Sequence, residues 1–257
     1  MKIGKTEQYI NEQIEKKGGL LFALIDPVDY KTPQDAIRAG KESAEGGADI
    51  MLIGGSMGAQ GELLDTVTRE IKSASSVPVV LFPGNISTLS KYADAVYFMS
   101  LLNSRNPYWI SGAQMLAANA VRISKVEPLP VGYIVVEPGG TVGYVGDVNL
   151  VKRDKPQIAA AHALAAQYSG SRLVLTDAGS NPREGHIPLE MVKAVSSVCE
   201  VPYIVGGGVR TAAEATSVIK AGADAVQVGT ALESGGNLKK RVEEMAKAIH
   251  EAGKGKK

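Results

Sequence analysis

The chain has 257 residues, 44% of them hydrophobic, enough apolar material for one large core and the ordinary size of a single barrel domain spanning 1–257. A net charge of +1, with no basic run outside the tail Lys254 to Lys257, argues against a nucleic-acid groove. The single cysteine, Cys199, excludes an internal disulfide and a metal–thiolate cluster, and no apolar stretch is long enough to span a bilayer. With no charged-then-apolar signal at the N-terminus, a cytoplasmic protein without a transmembrane segment is expected.

Thr6 to Lys17 has the pattern of a helix that plugs or flanks the bottom of a barrel, ahead of a first strand at Leu20–Asp26. Thr32-Pro33, a capping residue before a first-turn proline, opens a helix that stops at Gly46-Gly47. Strands follow at Asp49–Gly54 and Pro78–Phe82, and Gly84 to Asp94 leaves room only for a small helix before a fourth strand at Ala95–Met99. Ser100 to Val131 reads as a long segment ahead of a fifth strand at Gly132–Glu137. A second long segment, Pro138 to Ser171, holds an alanine-rich helix at Pro156 to Tyr168. The last strands are expected at Arg172–Asp177, Pro202–Gly206 and Ala225–Gly229. Between the final two, Thr211 to Glu214 form a capping box and Gly222 closes the helix; Asn237 to Ala252 reads as a terminal helix against the wall. Most strand candidates are continuous Val/Ile/Leu runs, which suits strands buried on both faces of a parallel sheet. Their alternation with helices predicts an α/β fold, a (β/α)₈ TIM barrel, whose active face lies at the C-terminal ends of the strands.

Two glycine turns near the C-terminal end carry the strongest functional signal. Val205-Gly206-Gly207-Gly208-Val209-Arg210 and Val226-Gln227-Val228-Gly229-Thr230 are each a β-branched run that breaks into glycine ahead of a helix. Backbone N–H groups without a Cβ, next to a helix N-terminus, suit a phosphate dianion. Paired turns of this kind match the phosphate site after strands 7 and 8 of such barrels.

Several strands also end in polar residues aimed at the same rim. Asp26 either caps the turn fixed by Pro27 or supplies a hard oxygen to magnesium, which favours one or two carboxylates plus phosphates. Ser56 either caps the next helix or adds a hydroxyl to that metal. Asp177 and Glu137 are candidates for a general base; Glu137 has an alternative as a salt-bridge partner of Arg105 or Arg153. Of the histidines only His186 lies in a loop on the active face. Cys199, at the end of a helix pattern, reads as a packing residue.

Taken together, the markers Leu24-Ile25-Asp26-Pro27, Ile53-Gly54-Gly55-Ser56, Phe82-Pro83-Gly84-Asn85, Leu102 to Trp109, Glu137 to Gly143, Ala178-Gly179-Ser180 and Val205 to Gly208 resemble those of the geranylgeranylglyceryl phosphate synthases, in the larger of that family's two groups. The segment Asn103-Ser104-Arg105-Asn106-Pro107-Tyr108-Trp109 is the most specific of them, since glycine turns are shared by many phosphate-binding barrels. The resemblance implies a prenyltransferase of archaeal lipid biosynthesis that joins sn-glycerol 1-phosphate to geranylgeranyl diphosphate through an ether and releases diphosphate. It implies magnesium held by Asp26 and Ser56, and glycerol phosphate held by Leu175, Thr176, Asp177, Ala178, Gly179, Ser180 and Asn181, by Gly206, Gly207 and Gly208, and by Gly229 and Thr230. It also implies a homo-oligomer, a dimer or hexamer. After the sixth strand the family usually reads Tyr-Leu-Glu-Ala-Gly-Ser-Gly, whereas this chain has Leu175-Thr176-Asp177-Ala178-Gly179-Ser180-Asn181. The tyrosine is absent, and the base implied at Asp177 is one methylene shorter, a displacement that matters at hydrogen-bond reach. Glu137 or a water is the alternative base.

The prenyl chain needs an apolar wall, for which Tyr97, Phe98, Tyr108 and Trp109 are candidates; packing in a subunit interface is the alternative role. Two other functions stand beside the prenyltransferase: another phosphate-binding barrel enzyme, and a low-activity relative that only binds polyol phosphates. The absence of lysine from the strand spans weighs against a Schiff-base aldolase.

Overall fold

The computed structural model describes residues 2–55, 59–229 and 237–256. Parallel strands close into a barrel in sequence order: β1 (Leu20–Ile25), β2 (Ile50–Gly54), β3 (Val79–Phe82), β4 (Ala95–Leu101), β5 (Glu127–Val135), β6 (Leu173–Asp177), β7 (Tyr203–Gly206) and β8 (Ala225–Val228). The last strand pairs back onto the first, with Leu20 opposite Ala225 and Ala23 opposite Val228. The helices are α1 (Lys5–Lys17), α2 (Pro33–Glu45), α3 (Gly61–Ala74), α4 (Ala113–Ser124), the short α5 (Gly140–Val145), α6 (Pro156–Tyr168), α7 (Leu189–Ser196), α8 (Ala212–Lys220) and α9 (Leu238–Lys254). The TIM barrel read from the sequence is the fold.

Why the strands are apolar without interruption follows from the barrel's two cores. Successive side chains point to opposite faces. Leu20 and Phe22 therefore join the cluster filling the lumen, while Leu21 and Ala23 join the cluster between sheet and helices. All four are fully buried, and each large one contributes about 1.5–3 kcal/mol. The expected caps are present. Thr32 accepts from Asp35 N, and Thr211 and Glu214 form the reciprocal box on α8.

As expected, α1 plugs the bottom of the barrel. Ile10 is buried in the lumen cluster, with Tyr9 and Ile14 packed against it. The N-cap Gly4 has no side chain to offer, and Glu127 at the start of β5 takes its place. Its carboxylate accepts Thr6 N at 2.7 Å and Glu7 N at 3.0 Å, a negative charge against the positive end of the helix. The buried Asp49 carboxylate accepts from Leu21 N at 2.8 Å, from Lys17, and bonds His250 Nε2 at 2.9 Å, tying α1 and α9 to the first strands.

Three expectations need correction. Ser100 to Val131 is not one long loop: β4 runs on to Leu101, α4 occupies Ala113–Ser124, and β5 begins at Glu127 rather than Gly132. Pro128 and Pro130 concealed that start, because proline cannot donate to a ladder. Here the lost donors face the side of β6, which starts only opposite Val131, and Arg172 N donates to Pro130 O at 2.8 Å. Second, Gly84 to Asp94 forms turns and no helix, pinned by an Asx turn from Ser87 N to Asn85 Oδ1 at 2.8 Å and by Ser90 Oγ to Asp65 at 2.6 Å. The helical ring is therefore open beside β3 and β4. Third, β5 stops at Val135, short of Glu137.

Candidate active site

A cavity of about 390 Å³ opens at the C-terminal ends of the strands. The first strand brings Asp26 and Asp29 to its wall, β2 brings Gly55, β5 brings Tyr133, and β6 brings Asp177 with Gly179, Ser180 and Asn181. The ring of lining residues is completed by Gly207, Gly208 and Arg210 after β7, Gln227 and Gly229 from β8, and Arg241 from α9. Leu175 lies lower in the lumen, Ala178 belongs to the outer core, and Thr176 Oγ1 bonds the Tyr203 hydroxyl at 2.7 Å on the helix side. Alternation along β6 thus sends only Asp177 of its last three residues into the site. Ser56 and Thr230 lie outside the described residues.

Asp177 is 6% exposed, and its carboxylate has two donors. Tyr133 Oη donates to Oδ2 at 2.9 Å and Gly179 N to Oδ1 at 2.7 Å. Burial pushes its pKa above the ordinary 3.8, opposed by the Gly179 N–H and the Tyr133 O–H. Burial first, then the Asp177 charge, push the Tyr133 phenol well above 10, so it remains the donor. A carboxylate raised toward neutrality, yet held in one orientation, is equipped to accept a proton. Tyr133 sits opposite Leu175 in the register, so a phenol is present at the level where β6 lacks one, carried by the neighbouring strand. Glu137 is not brought to the cavity. Its carboxylate accepts Arg153 N at 3.4 Å, and the Arg153 guanidinium donates to the backbone carbonyls of Glu137, Glu184 and His186. Arg105 pairs with Asp147 instead. His186 is engaged with Ile187 O at 2.7 Å, and none of the described histidines lines the cavity. Cys199 is an inert packing residue, its thiol pushed up to about 12 by burial and then by Asp224.

At the start of α8 the capping box is in place: the Glu214 carboxylate accepts Arg210 N at 2.7 Å and Thr211 N at 3.0 Å, and Thr211 Oγ1 accepts Glu214 N at 3.1 Å. What faces the cavity is glycine backbone together with the cations Arg210 and Arg241. Arg210 is steadied by Asn181 Oδ1 at 3.0 Å and Pro182 O at 2.6 Å. Gly207 (φ +79°) permits the turn: a Cβ there would meet Asp177 Oδ1 and Gly179 O, each at 2.7 Å. Asn181 adopts φ +46°, a left-handed conformation that asparagine tolerates better than most residues.

On the opposite wall, the Asp26 carboxylate lies against the backbone at the end of β2. A Cβ at Gly55 (φ +122°) would sit 2.0 Å from Asp26 Oδ2. Asp26 and Asp29 are the carboxylates on this wall, and no group of three metal-ligating acidic, histidine or cysteine residues occurs among the described residues. That donor set suits a hard cation completed by substrate oxygens, and not a self-sufficient metal cage.

Beside the cavity runs an apolar groove, where the helical ring is open between β3 and α4. Tyr97, Phe98 and Trp109 line it, as expected of the aromatic cluster; Tyr108 does not, and packs edge-on against Trp109 with centroids 5.0 Å apart. Groove and cavity share Gly55, Phe82, Tyr133 and Val142 as common wall. Sequence reading missed Tyr133, Arg210, Gln227 and Arg241 as site residues. A polar residue inside an apolar strand, such as Gln227, was the available signal.

A profile described as the PcrB family matches residues 11–253. The chain is 53% identical over 254 residues to the geranylgeranylglyceryl phosphate synthase of Thermococcus sibiricus, covering 98% of each chain. To that of Pyrococcus abyssi it is 51% identical over 252 residues, covering 97% of this chain and 99% of the relative. Among solved structures it is similar to the (S)-3-O-geranylgeranylglyceryl phosphate synthase of Thermoplasma acidophilum in complex with its substrate sn-glycerol 1-phosphate, with a TM-score of 0.88 at 36% identity, covering 94% of this chain and 98% of the other.

Proposed function

The chain belongs to the PcrB family, and on that premise we propose that it is a geranylgeranylglyceryl phosphate synthase, joining sn-glycerol 1-phosphate to geranylgeranyl diphosphate. The observation that carries this reading is the junction of two chemically opposite spaces. An anion-binding cavity and an apolar groove meet at Gly55, Phe82, Tyr133 and Val142, between the carboxylates of Asp26 and Asp177. A phosphorylated polyol and a long hydrocarbon can therefore bring their reactive ends together at one point.

In the reaction, glycine backbone at 207–208 and the Arg210 and Arg241 guanidiniums bind the glycerol phosphate at its phosphate. Asp177, oriented by Tyr133 and Gly179 N, accepts the proton of the primary hydroxyl. That oxygen forms a bond to the first prenyl carbon while the carbon–oxygen bond to diphosphate breaks, and diphosphate leaves with the electron pair. Asp26, with the hydroxyl of Ser56, is the seat we assign to magnesium, since its carboxylate is held against the end of β2. When bound, the metal neutralises charge on the diphosphate. Trp109, Phe98 and Tyr97 hold the prenyl chain and exclude water. We place the protein in the cytoplasm; no helix among the described residues is long and apolar enough to cross a membrane. The exposed Met115, Leu116 and Ile123 of α4 support assembly into a homo-oligomer.

The test is ether formation from labelled sn-glycerol 1-phosphate and geranylgeranyl diphosphate, with magnesium and with a chelator. Magnesium-dependent ether is expected. Glycerol phosphate binding without turnover would instead favour a polyol-phosphate-binding relative.

A further inference from the structure

We propose that Gln227 recognises the hydroxyl of the acceptor that does not react, and so sets both the choice of polyol and its handedness. This rests on the reading of the acceptor as a glycerol phosphate.

Gln227 is a polar residue in the middle of the apolar run of β8, 5% exposed, and its Oε1 meets no hydrogen-bond donor among the described residues. Its register neighbours explain why. Phe22 lies opposite on β1 and Gly206 on β7, and neither has a side-chain polar group. A buried amide carbonyl without a partner destabilises the fold, so stability gives no account of a glutamine at this position. The same side chain lines the cavity that holds Asp177.

The register also relates the two groups. Asp177 pairs with Gly206, and Gly206 pairs with Gln227, so carboxylate and amide are linked through one register position of β7, two strands apart. The residue between them is glycine, so no side chain intervenes. Two inter-strand steps place the backbones about 9–10 Å apart, leaving a gap of the size of a three-carbon chain with its hydroxyls. With the phosphate held at Gly207, Gly208 and Arg210, and the reacting hydroxyl on Asp177, the middle hydroxyl is the remaining polar substituent, and Gln227 is the polar side chain that follows Asp177 around the cavity wall, across Gly206. An amide both donates and accepts, so it pairs with a hydroxyl in either sense. Three attachment points around the central carbon distinguish sn-glycerol 1-phosphate from its mirror image.

The test is Gln227→Met, which keeps length and burial but removes the amide. Steady-state kinetics would compare sn-glycerol 1-phosphate with 3-hydroxypropyl phosphate, which lacks the middle hydroxyl, and with sn-glycerol 3-phosphate. For the variant, KM for sn-glycerol 1-phosphate should rise about fivefold to tenfold, the effect of one lost neutral hydrogen bond. KM for 3-hydroxypropyl phosphate should stay put, discrimination between the mirror images should fall, and Tm should hold or rise. Unchanged preference among the three acceptors would overturn the proposal. So would an equal loss on all of them accompanied by a lower Tm, which would mark a structural role. If the wild type forms no ether from any acceptor, the prenyltransfer reading fails on its own. Calorimetric binding of the same compounds then decides the role of Gln227, and identical affinities in wild type and variant would reject it.

Discussion

Removing one oxygen atom, in Tyr133→Phe, tests the pairing at the centre of the proposed mechanism. The ring remains, buried at 3% exposure and tilted against Phe82 with centroids 5.8 Å apart, so packing is preserved. What is lost is the 2.9 Å bond to Asp177 Oδ2, made between two buried side chains. A hydrogen bond to a charged acceptor contributes about 1.5–3 kcal/mol, against about 1 kcal/mol or less for a neutral one. The loss should therefore depend on pH. Burial already raises the folded-state pKa of Asp177 above 3.8, and the Tyr133 donor holds that rise back. Without the donor the folded pKa climbs further. The difference between wild type and variant should be smallest at acid pH, where Asp177 is protonated in both and only a neutral hydrogen bond is lost. Their difference should open as pH rises through the folded pKa of Asp177 and reach its full value above it. In a domain of this size about 1.5–3 kcal/mol corresponds to roughly 3–12 °C in Tm. Thermal unfolding across the acid-to-neutral range measures this directly, and the acid limb of kcat/KM should move to higher pH in the same variant. A pH-independent Tm difference, or an acid limb that does not move, would refute Asp177 as the titrating base held by Tyr133.

Two further outcomes are expected. Asp177→Asn should lower kcat by about a hundredfold or more, the range of a lost general base, while neutral-pH Tm holds or rises because a buried charge is removed; near-normal turnover would move the base to a bound water. Gly207→Ala forces a Cβ to within 2.7 Å of Asp177 Oδ1 and Gly179 O at φ +79°, so Tm should fall by the equivalent of about 1–3 kcal/mol and KM for glycerol phosphate should rise; a variant with wild-type Tm and KM would show the turn to be pliable.

The elements most legible in the sequence were those decided by local rules. Continuous apolar runs located most of the strands, because a strand buried on both faces must be apolar at nearly every position. Thr32 and the Thr211–Glu214 box marked their helices correctly, because a cap is decided within four residues. The early start of β5 was hidden by Pro128 and Pro130, whose tolerance depends on where β6 begins, a property of another segment. The groove arose from a helix that Gly84 to Asp94 does not form, which becomes a functional feature only once the neighbouring wall exists.

By itself, the sequence determined the barrel and put forward Asp177 and the glycines at 206–208 as candidate site residues. The tertiary structure alone decided that Asp177 is gripped by Tyr133, 44 positions away, and that Gln227 lies two strands from it across Gly206. It also decided that Glu137 is kept from the cavity and that glycine backbone, Arg210 and Arg241 line it. The reason is physical. Which residue of a strand reaches the lumen, and at what height, is set by the register around a closed barrel, and that register is a property of all its strands together.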